Sequence, residues 1–182
     1  MVKAWKRIGP TKLTRVGWRT IITKTFIDAR GDELIFDTID AEDREFVAVI
    51  AITKDKKVIV AQQFRPGPEK VFDEMPGGFV DKGEGHEVAM HRELLEETGY
   101  KAGKAVYLGG YHKDTYMNAV WHIYLATDCA KVAEPVLGDT EDIELRLISI
   151  DELIESAKHD GLTDAVGVLM AYDQLLALRD SK

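Results

Sequence analysis

Residues 78–100 read GFVDKGEGHEVAMHRELLEETGY, and the rest of the chain is arranged around them. From Gly85 to Thr98 the pattern is helical, with Val88, Leu94 and Leu95 set among charges and Gly99 as the stop signal. On a helix turning about 100° per residue, Glu93 and Glu97 lie about 40° apart, and Glu96 lies about 60° to the other side of Glu93. Three carboxylates therefore share one face within a turn, and Glu84 in the preceding loop is able to join them. Like charges at this spacing repel by roughly 0.2–0.5 kcal/mol per pair, which a purely structural helix avoids. A hard divalent ion with oxygen ligands, Mg²⁺ above all, relieves the repulsion. Arg92 precedes Glu96 by four residues, the spacing at which its guanidinium braces that carboxylate. Pro76-Gly77-Gly78 lets the backbone approach closely and offer a carbonyl.

Outward from this segment the periodicity changes to that of strands. Residues 18–29 and 33–40 are rich in β-branched and aromatic side chains and flank Arg30-Gly31-Asp32, a hairpin signal. The acidic run Ala41-Glu42-Asp43-Arg44 marks a boundary. Beyond it, EFVAVIAIT (45–53) and KVIVAQQF (57–64) read as two central strands joined by a polar turn. Residues 66–83 suggest a loop and a short strand. Downstream, 104–111, 119–127 and 143–150 read as strands, Asp151 as the N-cap of a helix, and 164–179 as a last helix. In that helix Val168, Leu169, Tyr172, Leu175 and Leu176 share a face. The fold class is α/β, a mixed sheet covered on both faces. A small antiparallel β extension over 1–42 precedes a main domain over 43–182.

The 182 residues carry 24 Lys and Arg against 32 Asp and Glu, a net charge of −8. Residues 1–24 hold seven basic side chains and no acid, so the body is strongly acidic. Such a body lacks the long basic face that nucleic-acid binding needs. The basic arm either complements the acidic body or a second subunit, or helps to hold an anionic ligand. No apolar run approaches the length of a membrane span, and no apolar core follows the basic start as a secretory leader would require. With the single Cys129 this points to the cytoplasm.

Seven positions in the segment (Gly78, Glu84, Arg92, Glu93, Glu96, Glu97 and Gly99) form one pattern. Each recurs by chance at roughly 5–7%, so a fortuitous match is on the order of one in a million. The pattern resembles the signature of the Nudix hydrolases, with Leu94 at its aliphatic position and Tyr100 where an aliphatic residue is usual. That resemblance implies an α/β/α sandwich binding two or more Mg²⁺ or Mn²⁺ ions and hydrolysing the diphosphate of a nucleoside diphosphate linked to another group. By the same resemblance Glu93, Glu97 and the Gly77 carbonyl are metal ligands, and Glu96 is a ligand or helper braced by Arg92. The loop 138–142 supplies the base or a further metal ligand, Glu141 first and Asp139 second; an acidic solvated turn is the alternative reading.

The flanks resemble the ADP-ribose and sugar-nucleotide pyrophosphatases, where a Q-x-R strand and a Glu-x-Pro lead into the box, here Gln63-Phe64-Arg65 and Glu74-Met75-Pro76. The resemblance implies that Arg65 holds a diphosphate oxygen and that Glu74 supports the site; a surface ion pair is the alternative for Arg65. The β extension resembles that branch too, in which extensions build a homodimer, sometimes by exchange. Trp18 and Phe26 then either stack on a base or pack in the core. A Ser-Pro-Gly-like turn of ADP-ribose specialists is replaced by residues 112–118. There Tyr116 stands where dinucleoside polyphosphate hydrolases tend to place a tyrosine. This favours a broader nucleoside diphosphate sugar hydrolase, taking ADP-ribose or a GDP-mannose type substrate. The alternatives are a dinucleoside polyphosphate or RNA-end pyrophosphohydrolase and an ADP-ribose sensor without turnover. His112, His122, Met117 and Cys129 read as structural.

Overall fold

The computed structural model describes residues 2–138 and 142–181. Contacts group the chain into two compact units, Met1–Arg44 with Tyr111–Val120, and Glu45–Gly110 with Trp121–Lys182.

In the first unit β1 (Lys6–Val16) and β2 (Arg19–Ile27) form an antiparallel hairpin, and β2 pairs antiparallel with the start of β3 (Glu33–Thr53). The β2–β3 turn is shaped by Asp28, whose carboxylate accepts the backbone N–H groups of Arg30 and Asp32 at 2.8 and 3.0 Å. This is the local Asx bonding that makes Asp a turn former. The 111–120 segment joins the unit through the Ile39 N–H, which donates to the Tyr116 carbonyl at 2.8 Å. A register shift between Ile8 and Lys12, together with Pro10, interrupts β1 and blunts it as a pairing edge.

The second unit is built on β4 (Val58–Arg65), β5 (Lys70–Glu74), β6 (Gly77–Phe79), β7 (Tyr100–Lys101), β8 (Lys104–Tyr111), β9 (Met117–Lys131) and β10 (Glu144–Ile148). The later part of β3 pairs with β4 and β6; β4 also pairs with β5 and β10, and β9 pairs with β3, β7 and β8. One face packs Val47, Val49, Ala51, Ile59, Tyr124 and Ala126 against Ala89, Met90 and Leu94 of helix α1 (His86–Thr98). On the other face Gly167 of α3 (Ala165–Met170) sits so close to Met75 and Ile123 that a Cβ there would meet the Met75 methyl at 2.5 Å. Helices α2 (Ile150–Lys158) and α4 (Tyr172–Asp180) complete the unit, with Leu153 and Leu175 fully buried. Helices thus cover both faces of a mixed sheet, as the α/β reading expected. Among the described residues no helix is long and apolar enough to cross a membrane.

Strand β3 runs unbroken through Ala41–Arg44, and the two compact units divide directly after Arg44. Two local expectations are corrected. The N-cap of α2 is Ser149, not Asp151: the Ser149 hydroxyl accepts the Glu152 N–H and the Glu152 carboxylate accepts the Ser149 N–H, a full capping box. The last helix is two helices divided at the buried Ala171, which turns the chain so that Leu169 is 73% exposed while Val168 and Leu175 stay buried.

Candidate active site

Helix α1 starts at Gly85 without a side-chain cap and ends on Gly99, whose φ of 73° is the left-handed conformation that closes a helix. A Cβ on Gly99 would also meet the Ala133 carbonyl at 2.1 Å. The helix is therefore fixed at its C-terminal end, and its Glu and Arg side chains are set against β6.

Strand β6 explains why the two glycines are needed. Bonds from the Val49 N–H to the Pro76 carbonyl and from the Val80 N–H to the Glu45 carbonyl fix its antiparallel register on β3. Alternation then turns the Gly77 and Phe79 backbone groups away from β3. The Gly77 N–H donates to Glu97 Oε2 at 2.9 Å, and the Phe79 carbonyl accepts from Arg92 Nη2 at 2.9 Å. A Cβ on Gly77 would lie 2.1 Å from the Val47 carbonyl oxygen, and one on Gly78 would lie 2.4 Å from Glu93 Oε1. Gly77 allows the close strand approach; Gly78 leaves the space that Glu93 fills.

The carboxylates do not stand bare on the helix face. Arg92 gathers them: Nε and Nη2 take Glu84 Oε1 and Oε2 at 3.1 and 2.9 Å, and Nη1 takes Glu93 at 2.8 Å and Glu96 at 3.2 Å. The expected brace on Glu96 is present, and the Glu84 fork and the Phe79 carbonyl are additional. These bonds hold the Glu84 carboxyl below its ordinary range, chiefly through Arg92, and raise the Arg92 guanidinium. Glu97 is only 7% exposed and takes the Gly77 N–H. Among the described residues no three acidic, His or Cys side chains converge as a ready metal cage. The expected crowding is relieved here by one guanidinium and one backbone N–H.

Arg65 makes a forked pair with the buried Glu74, Nε to Oε1 at 2.6 Å and Nη2 to Oε2 at 2.5 Å. Such a fork fixes the guanidinium plane. Arg65 is thus in an ion pair, the alternative given for it above, with Glu74 as the partner. Glu141 and Asp139 lie outside the described residues.

The aromatic expectations divide. In the first unit Phe26 and Tyr116 line one cavity of about 310 Å³ with Trp5, Phe36, Thr38 and Thr115. Trp18 is not among the residues that line it; it is 71% exposed, with the Arg19 guanidinium 4.0 Å over its ring. Trp5 and Phe36, whose ring centroids are 5.8 Å apart, were not singled out in the sequence, because nothing local marks a residue so near the start as part of a cavity.

Four further side chains of the second unit form a cluster that spacing alone did not reveal. The His86 and His122 rings stack at 4.2 Å and 8°; His122 Nδ1 lies 2.9 Å from the Tyr107 hydroxyl, and His86 Nδ1 lies 2.6 Å from that of Tyr124. Burial, then the neighbouring His86, pushes the His122 pKa down, and burial pushes Tyr124 up to about 12.

A sheet covered by helices, with a glycine-flanked acidic helix gathered on an arginine, defines the α/β class to which this second unit belongs. The chain belongs to the NUDIX domain family, which it matches over residues 43–172. It is similar to the methanol dehydrogenase activator of Bacillus methanolicus, 33% identical over 132 residues, 71% of each chain. It is 31% identical to the ADP-ribose pyrophosphatase of Bacillus subtilis (strain 168) over 121 residues, 65% of each chain, so it spans just under two thirds of that relative. It is also 31% identical to the ADP-sugar pyrophosphatase of Mus musculus over 167 residues, 82% of this chain and 73% of that one. A crystal structure of an ADP compounds hydrolase shares the fold with a TM-score of 0.81 over 97% of both chains, at 19% identity.

Proposed function

We propose that this chain hydrolyses the diphosphate of nucleoside diphosphate sugars of the ADP-ribose type, yielding a nucleoside monophosphate and a sugar phosphate. The observation that carries the reading is the set Glu93, Glu96 and Glu97 held on α1 by Arg92 and Gly77. It agrees with the relatives named for ADP-ribose and ADP-sugar hydrolysis.

Hard oxygen donors of this kind suit Mg²⁺ or Mn²⁺. Glu93, Glu96, Glu97 and the outward-facing Gly77 carbonyl would hold the ions. The cradle at Gly78, which a Cβ would fill, gives Glu93 room to act there. When bound, the metal neutralises the diphosphate and acidifies a water. The chain's own residues do the rest. Arg92 keeps Glu84, Glu93 and Glu96 in register, and the Gly77 N–H fixes one oxygen of Glu97. Arg65, its plane set by Glu74, faces a diphosphate oxygen with the N–H groups that the pair leaves over. Glu141, or Asp139 in its place, takes the proton of the attacking water. The new bond is from water oxygen to phosphorus, and the bond that breaks joins that phosphorus to the bridging oxygen, which leaves with the other phosphate.

The first unit carries the basic arm and the exposed side chains Leu13, Val16, Trp18 and Ile35, and we assign it to contact with a second copy of the chain. Purified protein with Mg²⁺ and a panel of ADP-ribose, GDP-mannose, diadenosine polyphosphate and capped RNA tests the reading. Release of AMP from ADP-ribose or of GMP from GDP-mannose is expected; cleavage confined to the last two substrates would refute it.

A further inference from the structure

Strand β5 is five residues long and, among the described strands, pairs with β4 alone. It carries Glu74, the buried carboxylate that takes Nε and Nη2 of Arg65 and leaves over the Nη1 end of that guanidinium. A short strand paired on one side is able to roll about its own axis, and a roll would swing Glu74 and the guanidinium with it. The roll of β5 is set from its opposite face, by Asp73.

Successive side chains of a strand point to opposite faces, so Asp73 and Glu74 lie on opposite sides of β5. The Asp73 carboxylate is where two other strands meet. Gln62, directly across on β4, donates from Nε2 to Oδ1 at 3.0 Å. Arg146 Nη1 donates to Oδ1 and Oδ2 at 2.9 and 3.0 Å, and it comes from β10, which pairs along the other edge of β4. The Asp73 backbone closes the outer edge of β5. Its N–H donates to the Gly161 carbonyl at 3.0 Å and its carbonyl accepts the Thr163 N–H at 3.4 Å, in the segment between α2 and α3. One residue thus ties β10, β4 and the α2–α3 connection to β5. The Asp73 side chain is only 12% exposed, and a charge-assisted bond is stronger there than at an open surface.

We infer that Asp73 is a positioning residue: by locking the roll of β5 from one face it aims Glu74, and through Glu74 the Arg65 guanidinium, on the other. This rests on the nucleoside diphosphate reading above, in which Arg65 meets a diphosphate oxygen. A carboxylate fork fixes the plane of a guanidinium, but that plane is only as well placed as the strand that carries the carboxylate. Asp73 itself touches no reacting atom.

The test uses the full chain and Asp73→Asn, which keeps the shape of the side chain and removes its charge. KM for ADP-ribose rises about tenfold, the size of one weakened charge-assisted contact, and kcat stays near that of the parent. The NMR resonance of the Arg65 Nε–H, identified by its loss in Arg65→Lys, shifts and exchanges faster with water in Asp73→Asn, with no substrate present. In a Glu74→Gln background, where the fork is already broken, Asp73→Asn adds nothing to KM. Arg146→Gln cuts the same link from the more exposed end and moves the resonance in the same direction, so the claim stays testable if Asp73→Asn fails to fold. An unmoved Arg65 resonance in these variants overturns the inference. So does a loss in KM that adds in full to that of Glu74→Gln, which would make Asp73 an anchor of the fold alone. If the resonance moves as expected while the parent hydrolyses none of the sugar nucleotides, Asp73 still positions Arg65 and the hydrolase reading is refuted instead.

Discussion

Arg92 reaches back eight residues to grip both oxygens of Glu84, with Nε to Oε1 at 3.1 Å and Nη2 to Oε2 at 2.9 Å. Glu84 is itself fixed by the Asp81 N–H at 3.1 Å, so the loop before α1 and the acidic face of α1 are tied through a single guanidinium. Lysine keeps the charge but not the fork. Arg92→Lys is expected to lower kcat by about 10²-fold through misplaced carboxylates, with a much smaller effect on melting temperature. Steady-state kinetics beside thermal melts check it; unchanged kcat would show that the fork is not needed.

The two box glycines separate fold from chemistry. Gly77→Ala drives a Cβ into the Val47 backbone, and relief requires β6 to move off β3. A loss of about 1–3 kcal/mol in urea unfolding is expected, as for overpacking elsewhere. Gly78→Ala meets only the flexible end of Glu93, so stability should change little while turnover falls sharply. Equal melting curves for both variants would contradict this assignment.

His122 sets an acid dependence of stability. Its pKa is lowered in the fold from 6.5, by burial first and His86 second, so the unfolded chain binds the proton more readily. Stability from this group is complete above 6.5 and is lost as pH falls through that value toward the lower folded pKa. Glu45 across the ring and Tyr107, Tyr124 and Glu87 around the pair modulate the effect. Melting temperatures between pH 8 and 5 should therefore fall less steeply in His122→Phe than in the parent. Parallel curves would exclude His122 as the source.

Cys129 is buried, and burial pushes its thiol up to about 11. The thiolate is the reactive form. Iodoacetamide at pH 8 should leave the folded protein unmodified by mass spectrometry and label it in urea. Rapid labelling of the folded chain would place the thiol at the surface.

Much of this site is local, and that much is readable in the residues. The helix over Gly85–Thr98 and its Gly99 stop depend on neighbours three or four positions apart, as does the Arg92–Glu96 brace. The Glu84 fork, the Phe79 carbonyl and the Gly77 bond to Glu97 depend on how β6 is paired to β3, which spacing does not reveal. Ala41–Arg44 reads as a boundary, and the compact units do divide after Arg44, yet strand β3 runs through it, because charged residues alone do not end a strand. Ser149 with Glu152 is a capping box legible as S-x-x-E, and Asp151 is a distraction two residues on. The break at Ala171 carries neither Gly nor Pro and is a product of packing.

Mg²⁺ titration of ADP-ribose hydrolysis in the parent and in Glu93→Gln tests the central claim most directly. The account predicts that the parent requires the ion, and that the variant keeps its melting temperature but loses turnover by about 10²-fold or more and saturates at higher Mg²⁺. Hydrolysis by Glu93→Gln at the parent's rate and the parent's Mg²⁺ dependence would contradict it.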